Sequence, residues 1–247
     1  MDNVNIPGER PDAGRPGTPR EIVLISDPRV AAVPIHECGE PLLDSQGLLR
    51  VDHRRSDPGG DWRHLRAGLL GRLQDAQQVL PDGWHWLLVE GYRPPALQRS
   101  IFDGYASRLR TLRPQDGEAK IRADTARWCA PLETAGHIAG AALDLTVCTD
   151  DGSEVDMGCP EASTPEESSG ACYTHAPGLP EEVSANRAVM IEALTAAGLV
   201  NYPTEWWHWS YGDRYWAWTT GAPAAVYGPY SRVGASAGDA DVEHGGR

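Results

Sequence analysis

The chain has 247 residues, room for one large domain or two small ones, and its 40% hydrophobic and 23% charged residues are the balance of an ordinary folded protein. Its 22 basic and 35 acidic residues leave a formal net charge of -13, which repels nucleic-acid phosphates and anionic membranes and argues against both as partners. No apolar run is long enough to span a bilayer, and residues 1–20 lack the apolar core of a signal peptide, so a cytoplasmic location is expected.

Residues 1–20 are polar and rich in Pro and Gly, and disorder is expected there. Residues 21–25 form a short apolar run that reads as an edge strand, closed by the Asp27-Pro28 turn. From Asp61 a helical period appears, with Leu65, Leu69, Leu73, Ala76 and Val79 spaced by three and four. Pro81-Asp82-Gly83 turns the chain into residues 84–90, an aromatic and aliphatic strand. That strand runs into Gly91-Tyr92-Arg93-Pro94-Pro95, where two prolines stop the sheet and open a helix. Leu97, Ile101, Phe102, Tyr105 and Leu109 are expected on one side of it, and a further helix over residues 117–128.

Residues 142–147 alternate, with Ala142, Asp144 and Thr146 on one face and Leu143, Leu145 and Val147 on the other. This is strand periodicity, with a packed face and a face that carries a carboxylate. Residues 149–180 are polar and read as a long loop, a length often found in lids. Acidic residues suited to a helix N-terminus follow Pro180, with Met190, Ile191, Leu194 and Ala197 as the apolar side and Gly198 as the cap. Gly212-Asp213 reads as the turn of a terminal aromatic hairpin, and residues 231–247 as a flexible tail. Helices around separate strands give one α+β domain over residues 21–230, with a small, mostly antiparallel sheet. The five cysteines match no disulfide framework and no zinc knuckle; free thiols are expected, with a Cys159–Cys172 pair across the polar loop as the alternative in an oxidising setting.

Two segments carry the chemistry: His137 to Asp144, and Glu205-Trp206-Trp207-His208. Zinc takes imidazole nitrogen and carboxylate oxygen, and a catalytic site keeps one position for water. His137, Asp144 and His208 supply that ligand set for one zinc ion per chain. Positions i and i+3 of a regular strand face opposite ways. Glu205 and His208 therefore converge only if the strand begins or bulges between them. Glu205 is expected at a strand entrance, beside the metal but not bound to it, as general base toward water and then proton donor to the leaving amine. Arg93 brings a permanent cation whose fork suits an oxyanion. Singly these signals are weak, because most E-x-x-H pairs are solvated or core residues and Gly-Tyr-Arg-Pro alone is a turn. The aromatics around His208 belong mostly to a core, with Trp206 the candidate for a substrate wall.

His137-x-x-Gly-x-Ala-x-Asp144, Glu205-Trp-Trp-His208 and Gly-Tyr-Arg93-Pro resemble the D-alanyl-D-alanine dipeptidases of the vancomycin-resistance type, within a zinc peptidase family that shares its fold with the hedgehog signalling domain. The resemblance runs from about Asp61 to Tyr230. It implies a zinc dipeptidase that cleaves D-Ala-D-Ala and so limits a building block of peptidoglycan. His137, Asp144 and His208 match the family's metal ligands, Glu205 its base and Arg93 its transition-state arginine. Asp156, in Asp-Met-Gly, resembles an aspartate expected near the substrate's amino group. The chain departs from the family at Ala135-Gly136, where a serine usually precedes the first histidine, and in the loop holding Cys159 and Cys172. These departures motivate a second reading, a zinc amidase or dipeptidase of the same fold for another small peptide in natural-product metabolism. A third is a zinc-stabilised binding module without turnover, against which the presence of both Glu205 and Arg93 argues.

Overall fold

The computed structural model describes residues 22–230. The expected disorder of residues 1–20 and the expected tail over residues 231–247 lie outside the described residues, as does Glu21.

The elements run α1 (Pro28–Ala31), β1 (Leu42–Asp44), β2 (Arg50–Val51), β3 (His64–Arg66), α2 (Ala67–Gln77), β4 (Trp84–Glu90), α3 (Pro95–Leu112), α4 (Glu118–Thr125), β5 (Ala142–Thr149), α5 (Glu181–Ala196), β6 (Val200–Asn201), β7 (His208–Ser210) and α6 (Arg214–Thr220). Five strands form one sheet in the order β2-β4-β5-β7-β6, antiparallel except for β2 against β4, while β1 and β3 form a separate pair. This is the expected α+β class with a mostly antiparallel sheet.

β5 is the middle strand and is buried on both faces. Leu143, Leu145 and Val147 enter the main core with Leu69, Leu73, Met190 and Leu194 from α2 and α5. Burying such side chains stabilises by about 1.5–3 kcal/mol each. The opposite face carries Asp144, so the packing that fixes β5 also fixes the carboxylate.

Four expectations are corrected. Residues 22–24 enter no ladder; the segment packs instead beside Val30, Tyr202 and Tyr215. The helix expected from Asp61 starts only at Ala67. Leu65 sits in β3 opposite Leu43, so strand pairing overrides the helical period, and Val79 lies past the helix end, 65% exposed. On α3 the buried face begins at Gln98 rather than Leu97, which is 43% exposed, because Gln98 is drawn inward by polar partners. The terminal hairpin is a helix. Asp213 accepts from the backbone N–H of Trp216 at 2.7 Å, an N-cap, and Gly221 closes α6 at φ 72°.

The long polar segment after β5 is an irregular loop, but it is pinned rather than loose. The buried Arg187 of α5 donates to the carbonyls of Met157, Ala171, Tyr173 and Thr174, joining its two sides. All five cysteines are free thiols.

Candidate metal centre

The central strands place two of the three residues expected to hold the metal. Asp144 of β5 stands opposite His208 of β7 in the antiparallel register. His137 arrives on a single 3-10 turn, His137–Ala139, that ends at Gly140 with φ 63°. A side chain at Gly140 would be strained there and would also strike Leu42. Gly136 is just as confined, because a Cβ would meet the Asp213 carboxylate. The ring of His137 is oriented through Nδ1, which lies 2.7 Å from the carbonyl of Gly91 and leaves Nε2 to face the site.

Nε2 of His137 and Nδ1 of His208 are 3.3 Å apart, and Oδ1 of Asp144 lies 3.5 Å from the first and 2.9 Å from the second. Tetrahedral zinc with bonds of about 2.0–2.2 Å sets its donors roughly 3.3–3.5 Å apart. Two of the three edges match that tetrahedron and the third is shorter. This is also the one group of three His, Cys, Asp or Glu side chains among the described residues whose donor atoms converge in this way. The residues present therefore fit a zinc ion.

Glu205 sits in the turn before β7, which begins at His208, so the strand entrance required by the i, i+3 argument is present. Its Oε2 lies 3.7 Å from Nδ1 of His208, and the residue is 5% exposed. Burial and the nearby Asp144 charge push the Glu205 carboxyl well above the ordinary range, with Arg93 opposing. Burial also acts to raise Asp144, but the charge of His137 and hydrogen bonds from both imidazoles outweigh it and hold Asp144 well below the ordinary range. Burial lowers His208, against the pull of Asp144. Arg93 is buried, and its Nη2 lies 4.0 Å from Oδ2 of Asp144.

Two small adjoining cavities share Arg93, Trp128, Cys129 and Glu205. One reaches His137 and His208; the other reaches Asp144, Trp207, Glu161 and Arg55. A wider groove of about 800 Å³ lies between residues 22–29 and α4. Its lining includes Arg29, Arg122, Arg127 and Asp27 and no imidazole.

The structure does not bring two expected residues to these walls. Asp156 is exposed, and its carboxylate accepts from the backbone N–H of Gly158. Trp206 points into the main core, where the Arg187 guanidinium sits 5.7 Å from its ring centroid. Their places are taken by neighbours that sequence reasoning missed. Trp207 lines the cavity in place of Trp206, because residues 206 and 207 lie in a turn that breaks strand parity. Glu161 lines it in place of Asp156. The Glu161 side chain is 2% exposed and faces the Arg55 guanidinium at 3.4 Å. Burial, then the Asp144 charge, pushes its carboxyl up to about 7, with Arg55 opposing. The next residue, Ala162, holds φ at 59°, and its carbonyl accepts from the Trp128 indole at 3.0 Å. Backbone outliers of this kind cluster at active sites and ligand clamps. The signal available in the sequence was only that a carboxylate follows Met157-Gly158 within a few residues.

Among these groups the carboxylates of Glu90, Asp144, Glu161 and Glu205 outnumber the guanidiniums of Arg55 and Arg93. Such an excess suits a divalent cation and a substrate with a cationic end.

The model of the D-ala-D-ala dipeptidase family matches residues 70–222, a span that contains Arg93, His137, Asp144, Glu161, Glu205 and His208. A D-alanyl-D-alanine dipeptidase from Synechocystis sp. is 31% identical over 217 residues, covering 76% of this chain and 88% of the relative. A second D-alanyl-D-alanine dipeptidase, from Escherichia coli, is 30% identical over 121 residues, 45% of this chain and 54% of the relative. A solved structure of VanYB in complex with D-alanine-D-alanine overlaps 68% of this chain and 86% of its own, at 19% identity and a TM-score of 0.33, too low to bear on the site.

Proposed function

The chain belongs to the D-Ala-D-Ala dipeptidase family and is a metallopeptidase, and from that premise we propose that it hydrolyses D-alanyl-D-alanine with one zinc ion held by His137, Asp144 and His208. The observation that carries this reading is the convergence of those three donor atoms beside the buried carboxylate of Glu205. Zinc bound there supplies Lewis acidity and brings the ionisation of water to about pH 7. Glu205 takes a proton from the attacking water and returns it to the nitrogen of the leaving D-alanine. Arg93 meets the oxygen of the tetrahedral intermediate. Glu161 receives the free ammonium of the dipeptide, the role expected of Asp156 from the sequence, and Trp128 and Trp207 exclude water around it. The narrowness of the cavities favours a dipeptide over a long chain.

On this reading the reaction runs in the cytoplasm and lowers the supply of dipeptide for peptidoglycan, a link to vancomycin resistance that rests on the family resemblance. No helix among the described residues is long and apolar enough to cross a membrane. A second substrate is favoured by one observation: position 135, where the family's serine is expected, is a buried alanine with no hydroxyl to offer. Metal analysis of purified protein and a panel of D,D-, L,D- and L,L-dipeptides test both. Stoichiometric zinc with cleavage of D-Ala-D-Ala supports the proposal. Cleavage of L,L-dipeptides with D-Ala-D-Ala untouched overturns it in favour of the other substrate.

A further inference from the structure

β4 ends at Glu90, and the register with β5 shifts between Leu88 and Glu90, so that Glu90 stands opposite Asp144. Asp144 in turn stands opposite His208, which sets Glu90, Asp144 and His208 in one row across three strands. The Glu90 carboxylate is spent on Arg93. Its Oε1 accepts from Nε at 2.7 Å and its Oε2 from Nη2 at 2.6 Å, a two-point fork between side chains that are 7% and 10% exposed. The third hold comes from α3, where Oε1 of Gln98 accepts from Nη1 of Arg93 at 2.8 Å. The Gln98 amide is itself oriented by donation to the Ala130 carbonyl at 2.7 Å and to Sγ of Cys129 at 3.3 Å.

We infer that Glu90 is a positioning residue: it aims the Arg93 guanidinium at the reacting amide and keeps it from collapsing onto Asp144. The inference rests on the proposed role of Arg93. Arginine has five N–H groups in a rigid plane, and fixing three of them from two directions leaves the plane no freedom to turn. Without Glu90, the nearest carboxylate to Nη2 is Asp144, 4.0 Å away. A guanidinium that swung onto Asp144 would compete with the metal for a ligand and leave the cavity. The same corner of the chain also sets His137. The Gly91 carbonyl faces Nδ1 of that ring, and the backbone N–H of Arg93 donates to the carbonyl of His137 at 3.1 Å. Gly91 admits no side chain, since a Cβ would lie 2.5 Å from the His64 carbonyl oxygen. Residues 90 to 93 thus tie the arginine and one imidazole to a single strand end, and Glu90 is the member whose side chain touches neither substrate nor metal.

Glu90→Gln keeps the shape and removes the charge. The expected result is a folded protein with unchanged zinc content, a kcat lower by about 10–100-fold and a KM within about 3-fold of the parent, since misaiming a group that acts in the transition state costs rate rather than binding. Glu90→Asp, which keeps the charge on a shorter arm, should recover part of the loss. In an Arg93→Ala background, Glu90→Gln should cost nothing more. A parental kcat in Glu90→Gln overturns the inference, and so does a full, multiplied loss in the Arg93→Ala background. The Nε–H resonance of Arg93, read by ¹⁵N NMR, gives a test that needs no turnover. It should exchange slowly in the parent and fast in Glu90→Gln; equal protection in both overturns the clamp. A parent that cleaves none of the dipeptides defeats the functional proposal instead, and the NMR result still decides whether Glu90 holds Arg93.

Discussion

The strand-borne half of the site and its loop-borne half are held in different ways. Asp144 and His208 are neighbours in a ladder whose other face is packed core, so their separation is set by backbone hydrogen bonds and cannot drift without breaking β5 from β7. Glu161 sits on an irregular stretch whose position depends on point contacts: the Trp128 indole on Ala162, the Arg187 guanidinium on Met157 and Ala171, and Arg55 on Glu161 itself. In the proposed mechanism the ladder supplies what the chemistry requires, and the loop supplies what the substrate requires. Changes to the first should abolish the reaction, while changes to the second should alter which dipeptide is taken and at what pH.

The largest effects are expected from the ladder. His208→Ala removes a proposed ligand and should lose zinc and turnover together; stoichiometric zinc in that variant, measured on purified protein, would contradict the assignment. Glu205→Ala separates binding from chemistry. Although its Oε2 lies 3.7 Å from Nδ1 of His208, Glu205 supplies none of the three proposed ligands, so the variant should keep the metal while kcat falls on the order of 10²–10⁴. Equal rates in variant and parent would remove Glu205 as the base.

The same division explains what could be read in advance. The alternation over residues 142–147 set Asp144 opposite the leucines, and the i, i+3 spacing of Glu205 and His208 required the strand to start between them, which it does at His208. Those readings rest on local geometry that a period expresses. The carboxylate that lines the cavity was not legible, because the segment after β5 has no period and its course is set by Arg187, 26 residues beyond Glu161 in the chain. Which of Trp206 and Trp207 faces the cavity is hidden for a similar reason: parity counts only inside a strand, and the pair lies in a turn. The helix α6 was hidden by Tyr215-Trp216-Ala217-Trp218, whose aromatic alternation mimics a strand, although the cap Asp213 and the closing Gly221 were both visible. Glu90 went unremarked because its importance comes from a register shift that only pairing reveals.

A smaller effect, on binding rather than rate, is expected from Glu161. Its carboxyl is raised to about 7 by burial and the Asp144 charge, so it is charged above that pH and neutral below it. An ammonium is held by the charged form. KM for D-Ala-D-Ala should therefore rise as pH falls through about 7, and Glu161→Gln should raise KM by roughly 10-fold, the worth of one hydrogen bond to a charged group, and flatten its pH dependence. A KM profile that keeps its slope in Glu161→Gln would assign the titration to another group.

The smallest effect is expected from Asp156, and it sharpens the contrast most. Asp156 and Glu161 are five residues apart on one loop, and both are carboxylates that a sequence comparison could align with a substrate-binding aspartate. Only the second has a buried side chain within the cavity. Asp156 caps the backbone N–H of Gly158, an exposed hydrogen bond, and its own carbonyl is held by Asn186. Asp156→Ala should thus cost no more than about 0.5–1.5 kcal/mol of stability, seen as a small drop in Tm, with KM for D-Ala-D-Ala within about 2-fold of the parent. A rise in KM as large as that of Glu161→Gln would mean that the loop closes differently around the dipeptide, with Asp156 turned inward, and would return the ammonium to the residue first expected to hold it.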